Sequence, residues 1–516
     1  MIPLTAEEAG AALGIGTLSA AVPGVSIDSR TIRPGDLFVA LRGERFDGHD
    51  YVTHVLAAGA GGAVVDSVWW DQGKNPVVST LPEATRRSVY PVADTLDALG
   101  SLARAVRRKS GATVIAVTGS VGKTGTKDIL GVMAAQVGPV VVTRANQNNE
   151  IGVPLTLLSI EPDTKTAIVE MGMRGIGQIA GLTKVAEPDV GVITNIHPVH
   201  LELLGSLGDV AKAKAEILAG LRTDGIGVIP ADCTVLEAHV VAAERRVVRF
   251  GLEDDRDCAE VWGEYERYVG GARAGLVVHW PEGDAKLETP FGARAKMENA
   301  MAATAACYAA GLPMDRCLHG LEQAAFTPSR GDLERVGEWL IINDTYNASP
   351  AAVRASVDEL VRIADDEGGR PVAVLGDMLE LGQETADYHE GTGAYAAERG
   401  VRVLWGVGTL SRSTTEGFRR SWECRSNRAE CGAPDTRAQE GWSVGHVDAS
   451  GDYIPVLQSL RPGDVVLFKA SRSLKLEIMV DLLRQAAAAQ GSSGASAEAP
   501  WRDIPGQCGR MIGDGA

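Results

Sequence analysis

The stretch AVTGSVGKTGTKD, Ala116 to Asp128, has the residue types and spacing that handle phosphate. A β-rich apolar run, Ala112 to Val117, meets a glycine-containing turn and then a helix that opens with Lys123 and Thr124. A strand, loop and helix in that order point backbone N–H groups at phosphate oxygens, and the lysine at the helix start reaches the terminal phosphates. The full G-x-x-x-x-G-K-T pattern would put glycine at position 117, where Val117 stands. The loop is thus a shorter G-x-x-G-K-T, and the motif alone leaves the enzyme class open. On this reading Thr118, Gly119, Ser120, Val121, Gly122, Lys123, Thr124 and Gly125 hold the nucleotide, with Thr124 the natural Mg²⁺ ligand.

Other chemistry-bearing residues follow strand-like runs. Glu170 ends AIVE just before Met171 and Gly172, where a carboxylate faces the same crevice as the loop. His197 and His200 in TNIHPVHLE are two candidates of equal local merit. Lys214 in AKAKAEIL is locally indistinguishable from Lys212, and each is an ordinary charged position on an amphipathic helix. Asn146, Asn148 and Asn149 in NQNNEIGVP suit a polar ligand and a turn equally well.

These residues need elements to position them, and the chain offers several domains' worth. Its 516 residues exceed one core and predict two to four domains. A composition 45% apolar and 23% charged is that of a soluble globular protein. A net charge of −17 argues against a nucleic-acid or polyanion surface, while a local basic pocket for phosphates stays compatible with it. The N-terminus lacks a basic region followed by an apolar run, and no stretch approaches a membrane span, so the expectation is a cytoplasmic protein with no membrane partner. Seven scattered cysteines read as reduced thiols. Cys424 and Cys431 share one polar segment; pairing or metal binding there competes with a plain loop.

Residues 1–92 mix short β-like runs with turns. Residues 93–327 alternate short apolar runs (ATVIAVTG, TAIVEMG, DVGVITNI, GIGVIP) with helical patterns, the rhythm of a doubly wound α/β domain. The segment AEVWGEYERYVGGARAGLVVHWPEGDAKLETP reads as β-hairpins decorating it. Residues 328–490 repeat the α/β rhythm through WLIINDTY, PVAVLGDM, VRVLWGVG and DVVLFKAS. A polar stretch around 411–440 is expected to be a surface loop, and 491–516 a disordered tail.

The segments TGSVGKTGTK, NQNNEIGVPLTLL, EMGMRGIGQIAGLT, PDVGVITNIHPVHLELLGS, AKAKAEI, NDTYNASP, VLGDMLELG and KASRSLKLE stand in the order found in Mur ligases. Across residues 1 to 490 the chain resembles that family, and is most similar to the member that adds D-alanyl-D-alanine to UDP-N-acetylmuramoyl-tripeptide. The resemblance implies an α/β fold of three domains. The first binds the UDP-sugar, a central P-loop ATPase-like domain binds ATP, and a C-terminal Rossmann-like domain receives the amine. It also implies an ATP-dependent amide ligase in peptidoglycan precursor synthesis, acting as a monomer through an acyl phosphate.

The same resemblance assigns roles that local sequence leaves open. Lys123 and the loop would neutralise the γ-phosphate, with Thr124 and Glu170 on one Mg²⁺. His200, selected over His197, would hold a second Mg²⁺. Lys214, selected over Lys212, would carry a CO₂-derived carbamate at that metal. Asn299 matches the adenine contact, Arg330 the phosphate-facing arginine and Asp344 the ribose acid. Tyr346, Asn347, Lys469 and Ser471 match the acyl-transfer end, and Ser29, Arg30, Asp47, Gly48 and His49 the uridine end. Three departures stand out. The family's G-x-H-N-x-x-N reads ARAKMEN here, with Ala295 at the histidine; Gly125 replaces a common threonine and Ser349 a common asparagine. Competing readings are a Mur-type ligase for another carboxylate and amine, a non-catalytic ATP-binding paralogue, and a phosphotransferase.

Overall fold

A computed structural model describes residues 1–71, 81–268, 273–324, 329–429, 441–449 and 453–492. Three sheets organise them. The first is a four-stranded parallel sheet in the order Val25–Ser26, Leu37–Val39, Gly62–Asp66, Val89–Val92.

The central sheet has nine strands. Its parallel part runs Val140–Val142, Thr166–Glu170, Thr113–Thr118, Val190–Ile193, Ile226–Pro230, Val247–Leu252 and Val261–Arg267. Helices cover both faces, so strands such as Thr166–Glu170 and Val190–Ile193 are buried throughout, the reason their sequences read as unbroken apolar runs. The expected decorating hairpins are part of this same sheet. Val261–Arg267 pairs parallel with Val247–Leu252, and Ala274–Trp280 and Gly283–Thr289 continue the edge antiparallel.

The third sheet has six strands in the order Asp332–Val336, Trp339–Asp344, Val465–Lys469, Pro371–Gly376, Val403–Val407, Ser443–Val447, all parallel except the first. One helix, Thr95–Lys109, joins the first two sheets. Asp94 caps its N-terminus by accepting from Leu96 and Asp97, and three basic residues close its last turn. Its buried Leu99, Leu102, Ala103 and Val106 share one core with Leu37 and Val64 of the first sheet and Val114 and Val169 of the central sheet.

The stretch expected to be a loop from residue 411 is instead the helix Ser411–Ala429. Phe418 and Trp422, four residues apart on one face, are fully buried in the third core, while Arg419, Arg420 and Glu423 face outward. The high charge of the segment masked that two-residue anchor. Residues 430–440, with Cys431, lie outside the described set, as do 493–516; the helix Glu477–Ser492 reaches the start of the expected tail. The described cysteines, Cys233, Cys258, Cys307, Cys317 and Cys424, are free thiols. Among the described residues no helix is long and apolar enough to cross a membrane.

Candidate active site

The phosphate loop follows Thr113–Thr118, the strand flanked by Thr166–Glu170 on one side and Val190–Ile193 on the other. The chain leaves this strand toward Val140–Val142 on one side and later crosses over it from Thr166–Glu170 to Val190–Ile193 on the other, a reversal of strand order that opens a crevice beyond its carboxyl end. The loop is fixed from the neighbouring strand end. Ser120 Oγ donates to His197 O and accepts from His197 N, both at 2.9 Å; Val121 N donates to Asn195 Oδ1 at 2.9 Å, and Thr194 Oγ1 donates to Val121 O at 2.6 Å. Thr118 turns its buried hydroxyl to Met171 O at 2.9 Å. Gly119 and Gly122 have φ of +148° and +84°, and a Cβ would overlap Thr194 Oγ1 at the first and Asn299 Oδ1 at the second. Thr194 and Asn195 are scaffold residues that sequence reasoning passed over, although they sit in the quoted TNIH.

Gly122 starts the helix Lys123–Ala135 with no side-chain cap, so its first N–H groups face the crevice. Lys123 folds back over the loop, its Nζ donating to Gly119 O at 2.7 Å and Ser120 O at 3.2 Å. Withdrawal from water depresses its pKa; Glu170 opposes the shift and Arg330 adds to it. Thr124 Oγ1 donates to Glu170 Oε2 at 2.9 Å, and Asn148 Nδ2 donates to Glu170 Oε1 at 2.8 Å. This hydroxyl and carboxylate pair, both buried, is the hard oxygen set that suits Mg²⁺. Among the described residues no three His, Cys, Asp or Glu side chains converge as a metal cage. A Mg²⁺ shared with nucleotide phosphates needs only one or two protein oxygens.

His197 and His200 separate in the structure. His197 serves the loop through its backbone, and burial lowers its ring pKa. His200 lines the cleft in left-handed backbone with φ +54°, its Nδ1 2.5 Å from Glu380 Oε2 of the third sheet's unit. Lys214, on the helix Leu207–Ala219, is 2% exposed; burial drives its pKa well down, and Lys123 adds repulsion. A neutral amine there is the form that adds CO₂, so the donor chemistry fits the carbamate expectation. Lys212 lies on the same helix and is exposed.

The opposite wall comes from the third unit. Arg330 lays its guanidinium over the Tyr346 ring, 3.8 Å from the centroid, and its buried Nε lacks a protein acceptor. Lys469 Nζ donates to Asp344 Oδ2 at 2.6 Å and Asn347 O at 3.0 Å. Ser471 Oγ accepts from Leu379 N at 3.1 Å. The two walls enclose a cleft of about 2000 Å³. Asn146, Asn148, Asn149, Asn299, Gly125 and Ser349 also line it. Ala295 stands on the first turn of the helix Arg294–Ala309, and beside it Lys296 donates from Nζ to Gly331 O at 2.8 Å across the junction between the units. Arg267 Nη1 reaches Glu359 Oε2 at 3.7 Å over the same junction. Lys296, Arg267 and Glu380 carry no assignment in the sequence reading.

The first-unit residues stand apart from this cleft. Arg30 is exposed and pairs with Asp28 at 2.7 Å, an interaction that holds the Asp28 carboxyl down at about 2; Ser29 is its partly buried neighbour. His49 is buried, its Nδ1 2.5 Å from Asp47 Oδ1 and its Nε2 accepting from Asp66 N at 2.9 Å, while Gly48 N donates to Leu41 O at 2.8 Å. Asp47 Oδ2 also accepts from Arg42 at 2.9 Å. These contacts make Asp47–His49 a rigid corner of the first sheet, with Arg42 and Arg30 exposed beside it.

Three family models match the chain: Mur ligase family, catalytic domain, over residues 21–107; Mur ligase middle domain, over 117–307; and Mur ligase, glutamate ligase domain, over 332–472. The UDP-N-acetylmuramoyl-tripeptide--D-alanyl-D-alanine ligase of Bacillus subtilis (strain 168) is 34% identical over 466 residues, 90% of this chain and 93% of that one. The crystal structure of MurF from Acinetobacter baumannii is similar with a TM-score of 0.74 at 28% identity, covering 94% of this chain and 99% of that one. MurF ligase from Thermotoga maritima, in complex with ADP, is similar at 0.73 with 25% identity, over 90% and 98%.

Proposed function

Because the chain belongs to the Mur ligase family, we propose that it is the ATP-dependent ligase that joins D-alanyl-D-alanine to UDP-N-acetylmuramoyl-tripeptide. Two observations carry the reading: the match to the Bacillus subtilis ligase spans 93% of that protein, and the quoted motifs from the central and third units, AKAKAEI excepted, line one cleft. Residues 1–92 are assigned to the UDP-sugar, 93–327 to ATP and 328–490 to the incoming amine. The boundary at 327 and 328 falls within 325–328, outside the described residues. ATP as co-substrate suits a cytoplasmic place of action.

The chemistry follows from the difficulty of the bond. A carboxylate resists an amine, so its oxygen first attacks the γ-phosphorus of ATP, the bond to the bridging oxygen breaks, and ADP leaves. The amino nitrogen of D-alanyl-D-alanine, having lost a proton, then attacks the acyl-phosphate carbon, and the tetrahedral intermediate expels phosphate. Lys123 and the amides of Gly119 to Gly125 meet the negative charge as it shifts during phosphoryl transfer. Mg²⁺, when bound, would offset phosphate charge, with Thr124 and Glu170 holding one ion and His200 and carbamylated Lys214 a second. Arg330, whose Nε lacks a protein acceptor, meets a phosphate; Asp344 meets the ribose and Asn299 the adenine. Tyr346, Asn347, Lys469 and Ser471 shape the acyl-transfer end.

The test is phosphate release from purified protein with Mg-ATP and UDP-N-acetylmuramoyl-tripeptide, with and without D-alanyl-D-alanine, while the pentapeptide product is followed by mass. Product and release that need both substrates are expected. Acyl phosphate trapped by hydroxylamine without amide product would instead support a phosphotransferase, and ATP binding without turnover a different carboxylate and amine.

A further inference from the structure

His200 and Glu380 meet across the boundary between the central and third units, and each holds a non-glycine left-handed backbone, φ +54° and +63°. Such backbone is uncommon outside glycine, asparagine, aspartate and histidine, so it is the Glu380 backbone that its surroundings must over-determine. The Glu380 loop is held from three directions. Met378 N donates to Nε2 of the buried His389 at 3.0 Å, Leu379 N donates to Ser471 Oγ at 3.1 Å, and Ser411 N donates to Asp377 Oδ1 at 2.8 Å. The loop that results presents the Glu380 carboxylate outward, with Oε2 on His200 Nδ1 at 2.5 Å and Oε1 3.6 Å from Arg174 Nε. The units approach closely at this point, since a Cβ on Gly382 would lie 3.1 Å from Glu202 Cα.

We propose that Glu380 is a positioning residue for the second cation site: it takes Nδ1–H of His200, fixes the ring and leaves Nε2 as the donor, so that this site is complete only when the third unit is docked. A carboxylate on the far nitrogen of a ligating imidazole fixes its tautomer and orientation and raises its basicity. Here that carboxylate is supplied by a different unit from the one that carries His200, Thr124, Glu170 and Lys214. Cation binding and docking of the amine-binding unit therefore reinforce each other, because each is tighter in the presence of the other. The inference rests on the ligase reading of the cleft.

The experiment titrates full-length protein, saturated with ADP, with Mn²⁺ and reads free Mn²⁺ by electron paramagnetic resonance, for wild type, Glu380→Asn and Glu380→Gln. Asparagine tolerates left-handed backbone and removes the carboxylate; glutamine keeps one acceptor oxygen and carries the test if the asparagine variant does not fold. A second class of Mn²⁺ sites weakened about tenfold in Glu380→Asn, partly restored in Glu380→Gln, with the tighter class unchanged, is the expected result. In turnover assays the Mg²⁺ concentration for half-maximal rate rises by the same factor while KM for ATP holds. A second class that is absent in wild type, unchanged in the variants, or tighter in them overturns the proposal; the last would make Glu380 a competitor of the cation. Wild type that fails to ligate overturns the functional reading, and the Mn²⁺ comparison still decides the role of Glu380.

Discussion

Two lysines occupy equivalent places in two sheets and are treated in opposite ways. Lys123 stands beyond the central strand Thr113–Thr118, and Lys469 ends Val465–Lys469, the strand between Trp339–Asp344 and Pro371–Gly376. Both therefore sit where a doubly wound sheet opens toward a ligand. Lys469 is 2% exposed and neutralised by Asp344 at 2.6 Å, which also accepts from Ser356 Oγ at 2.7 Å. Lys123 bonds only carbonyls of its own loop, and no carboxylate among the described residues lies within ion-pair distance. Lys123 is partly buried, and a charge withdrawn from water with no carboxylate paired to it is costly, a cost offset when an anion arrives. The central crevice is thus built to receive phosphate, whereas the third sheet's crevice arrives already neutralised and shapes its ligand by geometry.

Substitution should separate the two most widely at Lys123. Lys123→Met is expected to lower turnover about a thousandfold, ~4 kcal/mol of transition-state stabilisation, yet raise the melting temperature of the nucleotide-free protein. The sign with pH follows from the depressed pKa of Lys123 against an ordinary value of 10.5. Between the depressed native value and 10.5 the unfolded chain holds the proton that the native one has lost, so across that window wild type gains stability as pH rises and the variant's advantage narrows. Near-normal turnover, or a lower melting temperature at pH 7, would erase the contrast. Lys469→Met should act in the opposite direction, destabilising the third unit by about 3 kcal/mol because Asp344 loses its partner in a buried pair. Adding Asp344→Asn should recover part of that loss in urea unfolding, and strict additivity would show that the pair is not coupled.

Lys214, itself buried, tests whether another lysine belongs with Lys123 or Lys469. It has Lys123 as its charged neighbour and its pKa is driven well down. Lys214→Ala is expected to cut turnover about a hundredfold, with partial recovery on adding a short carboxylate such as formate, since a metal-site oxygen would be what is missing. Loss without recovery would make it a packing residue; full activity would remove it from the site.

How much of this was legible in the sequence differs by region for physical reasons. The central sheet announced itself because buried parallel strands are unbroken apolar runs and the phosphate loop needs its glycines in fixed places. The neutralised pair Asp344 and Lys469 is separated by 125 residues, and only sheet register brings the two together. His200 and Glu380 are 180 residues apart, and no local pattern marks a contact whose two halves lie on different units. The choice of Lys214 over Lys212 depends on which helix face is buried, a fact of packing that a lysine-rich helix does not spell out. Phe418 and Trp422 were hidden by the arginines around them.

The smallest expected effect concerns what holds each crevice's loop in place. The phosphate loop is fixed by hydroxyls, amides and backbone, none of which titrates between pH 5 and 8. The loop after Pro371–Gly376 hangs on His389, whose Nε2 accepts from Met378 N and whose Nδ1 donates to Thr385 O at 2.8 Å. Burial holds the His389 pKa below its ordinary 6.5. Above pH 6.5 the ring is neutral in both states and its contribution is complete; as pH falls below that value the unfolded chain takes up the proton first and stability is lost. The urea midpoint of wild type should therefore drop between pH 7 and 5 by roughly 0.3 M more than that of His389→Gln, which has no ring to protonate. An equal slope in both proteins would mean that acid loosens the two crevices alike, and that the third unit's loop is held by Ser471 and Asp377 without help from the histidine.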